Sequence, residues 1–229
     1  MVRTMEGVVV VLAGLVALVT AHKFEMGTCK PKPGVENFDP QQFSGTWYVI
    51  ETFMSTSSCI TDTYTQTGEG FQVKRTKELY PGRIFSIDHI FTVTGDIRFK
   101  DPNGDLSAMT LEWPWSMRNH DVTVLDTDYS QYAIVYDCQS MFIVRRVSYS
   151  IIGRERTLDN STIESAKSKL VELGVKLNNL STVNHENCNK EGEADFDLNF
   201  DEVINTFSGG SDGEAEEEVE TVDVGENEV

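Results

Sequence analysis

The four cysteines are the residues of this chain whose chemistry is most constrained by spacing. They are Cys29, Cys59, Cys138 and Cys188, and no two lie closer than about 30 residues. Zinc knuckles pair cysteines roughly two to four residues apart, so this spacing disfavours a metal centre. In an oxidising compartment the four would form two disulfides, and spacing alone leaves three pairings open.

The other reactive residues form no catalytic pattern. The four histidines are scattered, at His22, His89, His120 and His185. The sequence contains no nucleophile elbow, zinc-protease helix motif or phosphate-binding loop. An enzyme is therefore not expected, and the sequence assigns no metal and no cofactor.

The amino-terminal segment indicates how the chain would reach an oxidising compartment. Arg3 precedes an apolar stretch from Val8 to Val19, and the small residue Ala21 follows. This pattern is typical of a cleavable secretory signal peptide, here residues 1–21, with the mature chain beginning near His22. A membrane anchor is the alternative, but about 12 strongly apolar residues fall short of the ~20 that a spanning helix needs. The sequence predicts a secreted, extracellular protein without stable membrane insertion.

Two acceptor sequons fit the same compartment. Asn160 is followed by Ser161 and Thr162, and Asn179 by Leu180 and Ser181. In a secreted chain, Asn160 and Asn179 are therefore candidate glycosylation sites if they are exposed.

Charge divides the chain into two regions. Residues 191–229 contain fifteen Asp or Glu and no Lys or Arg, so they carry −15 of the formal net charge of −18 and leave −3 for the rest. Such a segment has too little apolar surface to offset the entropy of ordering it, so we expect a mostly disordered acidic tail. Its charge disfavours nucleic acid and anionic membranes as partners and would suit a basic protein.

Within the tail, residues 195–207 leave two interpretations open. Phe200, Val203, Ile204 and Phe207 fall on one helical face, so a short docking helix is the alternative to disorder. The alternating acidic residues of this stretch are similar to a calcium loop, but Phe200 stands where that loop needs glycine. We therefore reject a true calcium-binding loop, and weak calcium association stays open.

Between leader and tail the sequence predicts one all-β domain, residues 22–190. Apolar and polar residues alternate in eight runs bounded by turn signals. The predicted strands are Thr46–Thr56, Cys59–Thr67, Phe71–Glu78, Ile84–Val93, Leu106–Glu112, Asp121–Thr127, Gln131–Asp137 and Met141–Ile152. Their short connections favour an up-and-down antiparallel barrel with room for one small ligand, and a sandwich is the alternative.

A single helix is predicted after the last strand. Ser161 with Glu164 forms a capping box that would begin it. Its apolar stripe consists of Ile163, Ala166, Leu170 and Leu173. We expect the stripe to pack against the outside of the barrel, over Val147, Tyr149 and Ile151.

Three segments resemble the signature motifs of the lipocalins in order and spacing. They are NFDPQQFSGTWY at 37–48, TDY at 127–129 and IIGRERTL at 151–158. The segments QYAIVYDC at 131–138 and NCNK at 187–190 bring the resemblance closest to the branch of apolipoprotein D, Lazarillo and the insect bilin-binding proteins. The resemblance covers about Cys29 to Lys190 and says nothing about the acidic extension.

The resemblance implies a closed end of the barrel. Gly45 would admit a tight approach to the first strand, and Trp47 would close the narrow end. Arg154 would lie across the indole face in a cation–π contact. Asp128 and Tyr129 would shape the turn at the same end. These roles are structural and not catalytic.

The resemblance also implies one of the three cysteine pairings. Cys29 would join Cys138, tying the amino-terminal arm to the barrel. Cys59 would join Cys188, tying the segment after the helix to it. We therefore expect four committed cysteines and no free thiol.

A ligand would then enter from the mouth opposite the closed end. Strand alternation predicts a cavity lining of Phe85, Phe91, Met109, Trp113, Tyr132 and Tyr136. An error of one residue in strand parity would turn a whole set outward. His89 shares parity with Phe91, so it is either a cavity-facing haem ligand or pH-sensitive contact, or, as we favour, a hydrogen-bonded polar residue.

Two functions are consistent with these features. The favoured one is a carrier that binds a fatty acid, sterol, retinoid, carotenoid or bile pigment inside the barrel. The alternative is an extracellular interaction or signalling protein that acts through its acidic tail and uses the barrel as a scaffold. The sequence does not name the ligand.

Overall fold

The computed structural model describes residues 23–53, 55–79, 89–114, 116–190, 192–194 and 196–208. Three sequence predictions lie outside these residues: the signal peptide, Phe85 as a lining residue, and disorder at the end of the tail. Among the described residues, no helix is long and apolar enough to cross a membrane.

The described residues form eleven strands and three α-helices. The strands are β1 Lys23–Met26, β2 Gly45–Phe53, β3 Ser57–Gln66, β4 Gly70–Leu79, β5 His89–Phe99, β6 Ala108–Glu112, β7 His120–Thr127, β8 Tyr132–Met141, β9 Val144–Gly153, β10 Leu180–Thr182 and β11 Phe196–Asn199. The helices are α1 Pro40–Phe43, α2 Asn160–Glu172 and α3 Phe200–Ser208.

Strands β2 to β9 form a closed antiparallel barrel. Each pairs with the next along the chain, and β2 also pairs with β9. In β4, buried Phe71 and Val73 alternate with exposed Gln72 and Lys74, the period-two pattern of a strand with one face inside. The predicted eight-stranded up-and-down barrel is confirmed, and the two-sheet sandwich is not observed.

Three short strands extend the barrel sheet. β1 pairs antiparallel with β9, and β10 pairs antiparallel with β2. β11, from the acidic extension, pairs parallel with β5 at His89–Thr92. These additions cover edges that would otherwise present unpaired backbone groups.

Helix α2 packs on the outside of the barrel, as predicted. Ala166 and Leu170 are buried in one apolar cluster with Val147, Tyr149 and Ile151 of β9. The predicted start at Ser161 is wrong by two residues. Asp159 caps the helix, because its carboxylate accepts a hydrogen bond from the Thr162 amide at 2.9 Å.

The turn between β8 and β9 also differs from the prediction. β8 continues to Met141, and Phe142 and Ile143 form the turn. Phe142 has a φ of 54°, a conformation that usually favours glycine or asparagine. The turn contains neither glycine nor asparagine, so its position could not be predicted from the sequence.

Candidate functional site

The end of the barrel where β2 begins is closed by an aromatic residue and a cation. Trp47 is fully buried, and its indole N–H donates a hydrogen bond to the Phe43 carbonyl at 2.8 Å. The guanidinium carbon of Arg154 lies 3.7 Å from the Trp47 ring centroid. This distance is well within the range of a cation–π contact.

Arg154 is also anchored by four backbone carbonyls. Nε donates to Tyr129 at 3.0 Å and Nη1 to Thr46 at 3.0 Å. Nη2 donates to Gln42 at 2.7 Å and to Phe43 at 3.3 Å. Burial lowers the pKa of this guanidinium, but the carbonyls compensate for the lost hydration. Among the described residues, Arg154 is therefore held in place by carbonyls and by no carboxylate.

The adjoining turn is ordered by Asp128 and Tyr129. The Asp128 carboxylate accepts hydrogen bonds from the amides of three following residues, at 2.8 to 3.1 Å. Tyr129 has a φ of 63°, and its hydroxyl accepts from the Asp39 amide at 3.0 Å. Gly45 has a φ of 99°, and an added Cβ would stand 3.4 Å from Arg154 Nη1. A side chain at Gly45 would be strained by this positive φ, whereas the contact with Arg154 alone would be an ordinary one.

The structure joins Cys29 to Cys138 and Cys59 to Cys188, the pairing that the resemblance implies. All four cysteines are therefore in disulfides. Glu78 lies beside the second bond, and its carboxylate accepts from the Asn189 amide at 2.7 Å. With both sulfurs bonded to each other, this cluster offers no thiolate to a metal.

A cavity of about 570 Å³ occupies the barrel on the mouth side of the closed end. Its apolar wall is formed by inward-facing residues that include Val73, Ile97, Leu111, Trp113, Val135 and Ile152. Serines and threonines of the first two and the last barrel strands lie nearer the mouth. A concave, mostly apolar space with a few polar groups is the usual form of a small-molecule site.

Five charged side chains also line the cavity. They are Asp62, Arg75, Lys77, Asp137 and Arg146. Arg75 and Asp62 form a bidentate ion pair, with Nε–Oδ1 2.6 Å and Nη2–Oδ2 2.7 Å. Burial alone would lower the pKa of Arg75, but the Asp62 carboxylate outweighs it and raises that pKa.

Comparisons with known proteins agree with this architecture. No family model matches the chain. Apolipoprotein D of Macaca fascicularis is 29% identical over 181 residues, which cover 77% of this chain and 93% of that protein. Apolipoprotein D of Mus musculus has the same identity and coverage.

Solved structures share the barrel. Insecticyanin from the tobacco hornworm Manduca sexta superimposes with a TM-score of 0.60 at 18% identity, covering 78% of this chain and 96% of that chain. Lobster apocrustacyanin A1 superimposes with a TM-score of 0.56 at 20% identity, covering 67% and 83%. The chain has the lipocalin fold and is similar in sequence to apolipoprotein D. This similarity supports a lipocalin of the branch that contains apolipoprotein D and the bilin-binding proteins.

The predicted lining residues of the cavity lie in three different places. Trp113 lines the cavity. Met109 is buried among the barrel core residues, one register pair from the closed end of β6, and does not reach the cavity surface. Phe91 packs against the edge of that core, beneath the Lys77 ammonium at 5.2 Å.

Tyr132 and Tyr136 face away from the cavity, so their assignment as lining residues is wrong. Val135 and Asp137, which alternate with them on β8, point inward. Tyr136 stacks near Tyr149 in the cluster beneath helix α2, with ring centroids 5.1 Å apart. Both faces of β8 are buried, because α2 covers the outer one, and the apolar pattern therefore carried no parity signal.

His89 is a hydrogen-bonded polar residue. It is 8% exposed, and its Nε2 accepts from the Leu79 amide at 2.7 Å, bridging β4 and β5. This contact favours the structural interpretation of His89 over a haem ligand.

Sequence reasoning missed the charged residues of the cavity. The signal was present in β4, where Arg75 and Lys77 share parity with the buried Val73. It was obscured because the outward positions Lys74 and Thr76 are also polar. A charge at an inward position of a barrel strand is costly unless it is paired, so it marks a candidate site.

The carboxy-terminal extension adds a further element beside the mouth. β5 pairs with β6 only over Asp96–Phe99, and β11 occupies the same edge of β5 at His89–Thr92. Helix α3 follows, and the Asp201 carboxylate accepts from the Thr94 amide at 3.1 Å. The Phe200 ring lies 6.1 Å from that of Phe91 and packs against the barrel core. Of the two interpretations of this stretch, the helix is the one observed.

Proposed function

We propose that this lipocalin is a secreted carrier that binds one small hydrophobic molecule inside the barrel, reversibly and without chemistry. The observation that carries the proposal is the cavity of about 570 Å³. It is closed at one end by Trp47 and Arg154, so the ligand would enter from the opposite mouth. The candidate ligands are fatty acids, sterols, retinoids, carotenoids and bile pigments.

The size of the cavity supports a moderate affinity. Burying about 300 Å² of ligand surface at ~25 cal/mol per Å² contributes about 7 kcal/mol, the scale of a Kd near 10 µM. Losses of ligand and side-chain freedom oppose this gain, and polar contacts add to it. We expect micromolar binding.

Titration of the oxidised mature protein tests the proposal. Trp113 lines the cavity, so a bound ligand should quench its emission. The candidate classes would be titrated in turn, and native mass spectrometry would detect any ligand carried from the source. Failure of every class to saturate below about 100 µM, with no extractable ligand, would refute the carrier function.

Two tryptophan substitutions locate the binding. Ser150 lines the cavity, so Ser150→Trp would fill it and abolish binding. Gln72 is exposed on the outside of β4, so Gln72→Trp adds the same ring without entering the cavity and should leave binding intact. Equal affinities in the two variants would place the ligand elsewhere.

Secretion and glycosylation belong to the same proposal. The leader and the two disulfides support export, and amino-terminal sequencing of secreted protein should begin near His22. Asn160 is exposed in the first turn of α2, whereas Asn179 is half-buried, so we expect Asn160 to be the more readily modified. A glycosidase-sensitive mass shift that Asn160→Gln removes would test this.

A further inference from the structure

The charges that line the cavity are not balanced. Three cations and two carboxylates face it. Both carboxylates are already engaged: Asp62 with Arg75, and Asp137 with His120 Nδ1 at 2.9 and 3.1 Å. In this pair the Asp62 side chain is 2% exposed, whereas the Arg75 side chain is 35% exposed.

Among the described residues, Lys77 and Arg146 have no carboxylate in direct contact, although the Asp62 charge acts on Lys77 and the Asp137 charge acts on Arg146 from farther away. Within the described part of the chain, neither has an acidic oxygen within 4.0 Å. The Lys77 ammonium lies over the Phe91 ring, 5.2 Å from its centroid. Arg146 Nε is buried and has no hydrogen-bond partner, while Nη2 lies 3.4 Å from the ring nitrogens of His120.

This arrangement is unfavourable when the cavity is empty of anions. A cation removed from water costs free energy unless an anion or hydrogen-bond acceptor replaces the lost hydration. Burial and the nearby charges of Arg75 and Arg146 lower the pKa of Lys77 to about 8, so these cations repel one another inside the cavity. An incoming anion would relieve both the unpaired donor and the repulsion.

We propose that the cavity selects an elongated amphiphile with a carboxylate head group, which binds to Lys77 and Arg146 while its apolar chain points toward the closed end. The inference rests on the proposed carrier function and narrows its ligand class. The planar guanidinium presents donors that match a carboxylate, and Arg146 has one such donor unused. The apolar wall below, with Val73, Ile97 and Ile152, suits the chain.

A neutral ligand would be a poorer fit. A sterol or an unsubstituted carotenoid would displace water from Lys77 and Arg146 and return no counter-charge. The carboxylate should therefore improve affinity over a neutral head group on the same chain. Charged hydrogen bonds contribute about 1.5 to 3 kcal/mol each, so one such bond predicts at least about tenfold.

The decisive experiment compares head groups on one chain. Full-length oxidised protein would be titrated with hexadecanoate, hexadecan-1-ol and methyl hexadecanoate, following tryptophan emission below the concentration at which each compound aggregates or separates from water. We expect hexadecanoate to bind at least about tenfold more tightly than the alcohol and the ester. Equal affinities of the three would overturn the inference and leave the carrier function standing. Binding of none would also overturn the inference, and the carrier function would then depend on the titrations with the other candidate classes.

Variants then assign the head group to residues. Lys77→Met and Arg146→Met keep side-chain length and remove charge, and each should weaken hexadecanoate about tenfold while leaving hexadecan-1-ol unchanged. Lys74→Met is the matched control, because Lys74 is on the same strand but exposed on the outside of the barrel. Equal losses for acid and alcohol, or the same loss in Lys74→Met, would contradict the assignment. The head-group comparison in the unmodified protein stands even if a variant fails to fold.

Discussion

The two ends of the barrel satisfy their polar groups in opposite ways. At the closed end, Arg154 donates hydrogen bonds to four backbone carbonyls. The Trp47 indole N–H donates a further hydrogen bond to the Phe43 carbonyl. On the mouth side, Arg146 Nε is buried without a hydrogen-bond partner among the described residues, and the Lys77 ammonium lies over the Phe91 ring. A buried polar group whose hydrogen bonds are made within the protein stabilises the fold. A buried polar group without a partner can instead bind a ligand. The comparison assigns stability to the closed end and binding to the open half.

The two ends also differ in what holds them together. Both disulfides attach chain segments to the open half, at Cys59 near the start of β3 and at Cys138 near the end of β8. The closed end depends on packing and hydrogen bonds. The mouth also carries exposed apolar side chains, Met117 at 98% and Phe142 at 81% exposure. Covalent bonds therefore brace the open half of the barrel.

Removing one disulfide should have the largest effect. The paired change Cys59→Ala with Cys188→Ala opens a loop of 129 residues and should lower the free energy of unfolding by about 4 to 5 kcal/mol. Urea denaturation under non-reducing conditions measures it. The pair Cys29→Ala with Cys138→Ala, whose loop is 109 residues, should give nearly the same loss. An unchanged midpoint in either would contradict the covalent bracing of the open half.

Truncating the closed-end tryptophan comes next. Trp47→Ala should lower the free energy of unfolding by about 3 to 5 kcal/mol, because it leaves a void in a packed site and strands the Arg154 guanidinium. Trp113→Ala is the control, since this tryptophan borders an existing cavity and its loss should cost at least about 1 kcal/mol less. Ligand affinity should fall only in Trp113→Ala. Equal stability losses with equal affinities would erase the distinction between the two ends.

Arg154→Ala should have a smaller effect, about 1 to 2 kcal/mol of unfolding free energy, through the lost cation–π contact and stem packing. Arg154→Lys keeps the charge but cannot donate to four carbonyls at once, so it should recover only part of the loss. Chemical denaturation of both variants distinguishes charge from geometry. Full recovery by lysine would mean that the four hydrogen bonds contribute little.

The closed end was predictable because its residues act locally. Gly45 and Trp47 are two residues apart, and Asp128 and Tyr129 belong to one turn, so short motifs carry most of the geometry. Arg154 joins them through a third motif at a characteristic spacing. The eight strands were predictable for a similar reason, since alternation within each strand reports its buried face.

The open half was less predictable because it is assembled from distant strands. Val135 and Tyr136 are adjacent apolar residues on a strand that is buried on both faces. The local sequence therefore does not show which of the two side chains points into the cavity. The pair of Asp62 with Arg75 depends on the register between β3 and β4. The partnership of β11 with β5 joins segments more than a hundred residues apart.

Two truncations provide the smallest and most discriminating test of the comparison. A chain ending after Lys190 retains both disulfides and loses β11 and α3, which contact β5 through the Phe200–Phe91 ring pair and the Asp201–Thr94 hydrogen bond. Since Phe91 lies beside Lys77, which lines the cavity, loss of these contacts should speed ligand dissociation about fivefold, the effect of about 1 kcal/mol. A chain ending after Ser208 keeps both elements and removes a segment with nine acidic residues and no basic ones. That segment has little apolar surface to add to the core, so dissociation rate and stability should match those of the full chain.

Stopped-flow release of hexadecanoate from the three proteins measures the rates. If both truncations behave alike, the extension is not part of the cavity wall; if the Ser208 truncation alone weakens retention, the acidic end and not helix α3 acts at the mouth.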